Sequence, residues 1–128
     1  MREILFRGKT ESSKRWVVGD LLQWSGGKMC ICENRNRYEK GKYRVIPETV
    51  GQYIGFNDKN GKKIFEGDIV NDEQSGYNYF IKWFPECACF ALANKNGRME
   101  FGCEELEIFL DDLTIIGNIH DNPDLLKG

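Results

Sequence analysis

Short apolar and aromatic runs alternate along the chain with segments rich in glycine and asparagine, and sustained helical periodicity is scarce. The run at 77–84 is composed largely of aromatic and β-branched residues, which are enriched in strands. The dipeptides Asn60-Gly61 and Asn96-Gly97 predict hairpin turns, because both residue types tolerate positive φ. The pattern therefore predicts roughly eight short strands joined by tight turns.

We expect a mostly β fold with at most one or two short helical turns. It forms a single domain over residues 1–128, built as a strongly coiled antiparallel sheet or a small barrel-like structure. Strands are predicted at 2–7, 15–18, 21–24, 28–33, 77–84, 87–93 and 113–119. Two segments are left open: 47–50 is a bend or a single helical turn, and 103–110 is a strand end or one or two helical turns.

Glycine marks several of the predicted turns. Gly19, between two of the strand runs, predicts a bulge or a bend. Gly67 and Asp68 predict a tight turn that enters a buried strand. Asn122 and Pro123 predict a turn near the carboxyl end, since proline suits the first position of a short helix.

Composition and length fit one soluble globular domain. The chain has 128 residues, of which 41% are hydrophobic and 30% charged. No apolar segment follows the basic start, and the longest uncharged apolar run, at 87–93, is far shorter than the ~20 residues of a membrane span. We therefore expect a cytoplasmic protein with no membrane partner.

Charge is divided unevenly between the two halves of the chain. Residues 1–63 contain 14 Lys and Arg against 7 Asp and Glu, a balance of +7, whereas residues 64–128 contain 4 against 13, a balance of −9. The favoured interpretation is solvated charge, or charge that is neutralised within the protein or between subunits. The alternative is a nucleic-acid surface in the basic segment 28–44. Its candidate residues are Arg35, Arg37, Lys40, Lys42 and Arg44, with Tyr38 or Trp24 stacking on bases.

The three tryptophans and five cysteines are interpreted mainly as packing residues. Tryptophans 16, 24 and 83 are expected to fill the core, although exposed tryptophans also stack on bases. An odd number of cysteines favours reduced thiols. The two Cys-x-Cys pairs, Cys30 with Cys32 and Cys87 with Cys89, are expected in strand interiors. A zinc site built from these four is the weaker alternative, because structural zinc sites favour Cys-x₂₋₄-Cys.

Candidate chemistry is sparse. His120 is the one histidine, and it lies in a predicted loop with no nucleophile nearby in sequence. The segment that begins at Asp58 loosely resembles a calcium loop, but its twelfth position is Ile69 rather than a glutamate. No phosphate-binding glycine motif occurs. We therefore expect no enzyme activity, no cofactor, no metal and no small-molecule ligand.

Three blocks of sequence resemble the YopX family of phage and prophage proteins. They are MREILFRG at 1–8, VIPETVGQYIGF at 45–56 running into DKNGKKIFEGDIV at 58–70, and IGNIHDNPDLL at 116–126. The resemblance implies a mostly β, coiled-sheet or barrel-like domain encoded by a phage-derived gene in a bacterial host. It supplies no activity. The resulting hypothesis is a non-enzymatic accessory protein that self-associates through strand edges and opposite charges, with nucleic-acid binding as the alternative.

Overall fold

The computed structural model describes residues 2–33 and 41–127, and the fold is mostly β as predicted, with two antiparallel sheets and no closed barrel. The chain divides into two compact units, Met1–Tyr53 and Ile54–Gly128. The prediction of a single domain over 1–128 stays a prediction. Within the described residues, no helix has the length and apolar character that a membrane crossing requires.

The first unit contains four strands and the start of a fifth. They are β1 (Phe6–Lys9), β2 (Trp16–Gln23), β3 (Met29–Cys32), β4 (Lys42–Val45) and β5 (Gly51–Asn57), with a 3₁₀ turn at Pro47–Thr49. Their order in the sheet is β4-β3-β2-β1-β5, all antiparallel. The 3₁₀ turn confirms the helical alternative at 47–50, whereas residues 2–5 lie outside β1.

The first sheet bends back on itself. Thr10, just after β1, forms an isolated antiparallel bridge with Val45 of β4. On either side of it, the Ile46 amide donates to the Lys9 carbonyl at 2.8 Å and the Glu11 amide donates to the Arg44 carbonyl at 3.0 Å. The outer edge of β4 is therefore paired at its carboxyl end. The curl encloses a small aliphatic core whose buried residues are Val17, Ile31 and Val45.

Gly19 lies inside an uninterrupted strand, so the predicted bulge is wrong. A Cβ atom there would lie 1.9 Å from the Cys32 carbonyl oxygen, which means that β2 and β3 approach too closely for any side chain. Gly19 is also the last β2 residue paired with β1. From Asp20 onward, the strand pairs with β3. The glycine at position 19 is therefore explained by the close approach of the β2 and β3 backbones.

The second unit begins within β5, whose carboxyl half pairs with the next strand. Its other elements are β6 (Lys63–Phe65), β7 (Asp68–Asp72), β8 (Asn78–Phe84), β9 (Cys89–Ala93), β10 (Met99–Phe101), α1 (Cys103–Phe109) and β11 (Leu113–Asn118), with 3₁₀ turns at Leu110–Asp112 and Pro123–Leu126. The antiparallel order of the second sheet is β10-β9-β8-β7-β11. The segment at 103–110 is thus helical. Its Leu106 packs into a core formed with Ile64, Val70, Ile81 and Leu113.

The predicted turns of the second unit are confirmed and carry structural hydrogen bonds. Gly61 and Gly67 have φ of 80° and 91°, in the left-handed region that glycine adopts without strain. Asp68, almost fully buried, accepts the Phe65 amide through Oδ2 at 2.7 Å. Pro123 opens the last 3₁₀ turn, and the Asn122 side chain accepts the Asn118 amide of β11 at 3.2 Å.

Candidate nucleic-acid interface

The face of the first sheet that lies opposite its aliphatic core carries basic and aromatic side chains, together with Val18, Asp20 and Leu22 of β2. Side chains alternate between the two faces of a strand, so Trp16 and Trp24 lie opposite Val17. The register places Lys9 beside Trp16, and Arg44 beside Cys30. We call this surface the basic face. It consists of Arg7, Lys9, Trp16, Trp24, Lys28, Lys42 and Arg44.

Trp24 and Lys42 form the centre of the basic face. The Lys42 ammonium lies 4.8 Å from the centroid of the Trp24 ring, a cation–π contact, and Trp24 is 45% exposed. The two residues line a shallow cavity of about 450 Å³ together with Ser25, Lys28, Cys30 and Arg44. An aromatic surface and three cations therefore converge around an open concavity.

The β2–β3 turn presents Trp24 and Lys28 side by side. The Trp24 amide donates to the Lys28 carbonyl at 2.9 Å, which extends the antiparallel ladder by one pair beyond the strands. Gly26 and Gly27 have φ of 89° and 83°, so the Ser25-Gly26-Gly27 sequence closes this turn as predicted.

Arg44 is held by an ion pair that an anionic ligand can replace. Its Nε lies 3.2 Å from Oε2 of Glu11, and both side chains are about half exposed. Exposed pairs of this kind contribute about 0–1 kcal/mol. The guanidinium can therefore exchange the carboxylate for a phosphate at small cost.

A second aromatic position lies further along the same face. The Arg7 guanidinium lies 4.9 Å and the Lys9 ammonium 5.6 Å from the centroid of the Trp16 ring. The sequence did not indicate Arg7 and Lys9 as site residues, because their proximity to Trp16 depends on the β1–β2 register. The alternation of Trp16 and Trp24 along one strand was the available signal.

The structure describes only part of the predicted site. Trp24, Lys42 and Arg44 are brought together, whereas Arg35, Arg37, Tyr38 and Lys40 lie outside the described residues. The expectation that the tryptophans fill the core is wrong: Trp24 and Trp83 are exposed and Trp16 is half-buried. Aliphatic side chains, with Tyr79 and Phe84, fill the cores instead.

The cysteine predictions divide in two. Cys30 and Cys32 are buried in β3, as predicted. Cys87 is not in a strand: it lies exposed in the turn before β9, where Ala88 has a φ of 50°. Among the described residues, no group of three or more His, Cys, Asp or Glu side chains is arranged to hold a metal. This leaves the four-cysteine zinc alternative without a site.

His120 lies in the turn that follows β11. Its backbone amide donates to Oδ1 of Asn118 at 3.0 Å, and the Asp121 amide donates to the same oxygen at 2.9 Å. The position is thus part of a turn organised by an asparagine side chain, in agreement with the loop predicted for it.

Comparison with known proteins places the chain in a family. Residues 5–127 match the family model described as YopX protein. The chain belongs to the YopX family. The three sequence blocks that resemble the YopX family therefore reflect membership over nearly the whole chain.

A solved structure is similar to this YopX-family chain in fold. The crystal structure of protein EF1440 from Enterococcus faecalis superposes with a TM-score of 0.60, at 22% identity, over 99% of this chain and 100% of that one. Identity at this level shows the fold alone. No curated protein matches the chain.

Proposed function

We propose that this YopX-family protein is a non-enzymatic, phage-derived accessory protein that binds single-stranded nucleic acid through the basic face. The observation that carries the proposal is the half-exposed Trp24 ring, covered by Lys42 and bordered by Lys28 and Arg44 around one cavity. Proteins that bind single strands combine aromatic stacking platforms with cationic grooves along the backbone.

The aromatic centre favours single strands over duplexes. Bases in a duplex stack on each other, whereas an unpaired base offers a free π-face to a tryptophan. A base that stacks on Trp24 would place its phosphates near the cations of the cavity. The first unit as a whole carries the positive charge that favours binding to phosphates: it contains eleven Lys and Arg against six Asp and Glu, a net charge of +5.

Fluorescence anisotropy with labelled oligonucleotides tests the proposal. We expect the full chain to bind single-stranded DNA or RNA at low salt. The Trp24→Ala variant should bind about 5- to 150-fold more weakly, which corresponds to the ~1–3 kcal/mol of one base–aromatic stack. Tyr77→Ala is the matched control, because Tyr77 is an exposed aromatic residue of the second unit. Absence of binding to any single strand at low salt would contradict the proposal.

Self-association is the second candidate function. It is favoured by opposite charges, since the second unit contains seven Lys and Arg against fourteen Asp and Glu, a net charge of −7. Strand edges offer a second kind of contact: the outer edges of β4 and β11 already form hydrogen bonds, whereas β6 and β10 are the other end strands of the two sheets. Light scattering after gel filtration should show an oligomer that dissociates as salt rises. A monomer at both low and high salt would exclude this candidate.

A further inference from the structure

Strand β2 turns alternate residues towards the basic face, and each of these positions is aligned with one cation. The aligned pairs are Trp16 with Lys9, Val18 with Arg7, Asp20 with Lys42, Leu22 with Arg44, and Trp24 with Lys28. The first two cations are on β1, directly beside β2, whereas Lys42 and Arg44 are on β4 and are aligned across β3. We call these five cations the cation track.

The spacing of the cation track matches an extended polynucleotide backbone. Successive residues on one face of a strand are about 6.6 Å apart, because the rise is about 3.3 Å per residue. A base-stacked strand places its phosphates about 3.4 Å apart along its axis, and an extended strand places them about twice as far apart. One cation of the track is therefore available for each successive phosphate of an extended strand.

Both ends of the cation track have a tryptophan ring in contact with cations. The Arg7 guanidinium and the Lys9 ammonium lie 4.9 and 5.6 Å from the centroid of the Trp16 ring. At the other end, the Lys42 ammonium lies 4.8 Å from the centroid of the Trp24 ring. A cation–π contact at an exposed site is weaker than a base stacked on an aromatic ring. A base can therefore take the place of a cation on either ring, and that cation is then available for a phosphate.

We propose that one single-stranded nucleic acid lies along β2 and stacks one base on Trp16 and another on Trp24, with about five nucleotides spanning the cation track. The two tryptophans are eight residues apart, which is about 26 Å along an extended chain. A flexible single strand can follow this bent sheet, whereas a duplex is stiff over about 50 nm. The span rests on the proposed function, which requires stacking on Trp24 alone.

The dependence of affinity on oligonucleotide length tests the span. The trimer dT3 reaches one ring at a time, whereas the octamer dT8 reaches both. In anisotropy titrations, dT8 should bind wild type at least about 30-fold more tightly than dT3, because the octamer offers about six trinucleotide registers and the second stack adds at least about fivefold. Oligouridines of the same lengths show whether DNA or RNA is the better ligand. The proposal requires this length advantage with at least one of them.

Substitutions at tryptophan separate the span from general charge attraction. Trp16→Leu keeps an apolar side chain but removes the stacking surface, so it should reduce the advantage of dT8 to about sixfold and change dT3 binding by no more than about twofold. Trp83→Leu is the matched control, because Trp83 is 41% exposed and belongs to the second unit. It should retain the full length advantage. Asp20→Asn should strengthen dT8 binding, since it removes a carboxylate from the middle of the track.

Tryptophan fluorescence gives a readout at Trp16 itself without removing its ring. In a variant that carries Trp24→Phe and Trp83→Phe, binding of dT8 should quench the emission of Trp16 by stacking. Absence of binding by either oligonucleotide would contradict the proposed function as well. Binding that depends on Trp24 but shows only a sixfold length advantage, or that leaves the Trp16 emission unchanged, would overturn the two-ended span alone.

Discussion

Oδ2 of Asp58 accepts the backbone amide of Ile115 at 3.0 Å and so joins the β5–β6 turn to the outer edge of β11. Oδ1 of the same carboxylate accepts the amides of Asn60 and Lys62 at 2.9 Å each. One buried side chain therefore closes a hairpin and covers a strand edge that would otherwise be open to pairing with another chain.

Acid should weaken this link. Burial alone raises the pKa of Asp58, but the amides of Ile115, Lys62 and Asn60 together lower it below its ordinary value. A carboxylate with a depressed folded-state pKa adds stability above its unfolded pKa of about 3.9, and that stability is lost as the pH falls through the folded value. Asp58→Ala should cost about 2–4 kcal/mol in urea unfolding at pH 7, because three hydrogen bonds to a charged group are lost.

The control for this prediction is Asp111→Asn, since Asp111 is exposed. It should change the free energy of unfolding by less than about 0.5 kcal/mol at any pH. The difference between wild type and Asp58→Ala should shrink when unfolding is measured near pH 3. A difference that is the same at pH 3 and pH 7 would show that the carboxylate charge is unimportant.

Gly19→Ala should be among the most destabilising substitutions in the first unit. Its Cβ would lie 1.9 Å from the Cys32 carbonyl oxygen and 2.6 Å from the carbonyl carbon, and backbone atoms cannot rotate away. We expect a loss of about 3 kcal/mol or more, measured by urea unfolding. Gly102→Ala is the control: its Cβ would meet nothing closer than the Met99 sulfur at 3.9 Å, so a loss below about 1 kcal/mol is expected. Equal losses for the two variants would contradict this explanation.

Nucleic-acid binding should depend steeply on salt, and Lys42 should contribute to that dependence. For single strands the slope of log K against log salt is about −0.7 for each neutralised phosphate. Lys42→Ala should therefore weaken binding and flatten the slope by about 0.7, as measured by anisotropy titrations between low and moderate salt. Lys127→Ala, at an exposed lysine of the second unit, should leave the slope unchanged. If both variants lower the slope equally, binding is a general charge effect rather than a property of the basic face.

The two units should unfold together. β5 pairs with β1 through Gly51 and Gln52 and continues as one strand to Asn57 in the second unit. Because this one strand runs unbroken from the first unit into the second, cooperative unfolding is expected. Calorimetry should show one transition with equal calorimetric and van't Hoff enthalpies. Two resolved transitions would show that residues 1–128 form two domains rather than the predicted one.

Local turn chemistry was determined by the sequence itself. Asn60-Gly61, Gly67-Asp68 and Asn122-Pro123 form the turns predicted for them, because positive φ, side-chain acceptors and a fixed proline φ act over only a few residues. The mostly β class follows from the same short-range patterns, and the resemblance to the YopX family lies in three blocks of sequence.

Tertiary structure decided the positions that depend on partners distant in sequence. Gly19 predicted a bulge or a bend, but the strand continues through it and the close approach of the Cys32 backbone is what requires a glycine there. Trp24 looked like a core residue, but the curl of the first sheet buries smaller side chains and leaves its ring exposed beneath Lys42. These outcomes depend on strand register and sheet curvature, which arise from many weak contacts and are encoded in no single motif.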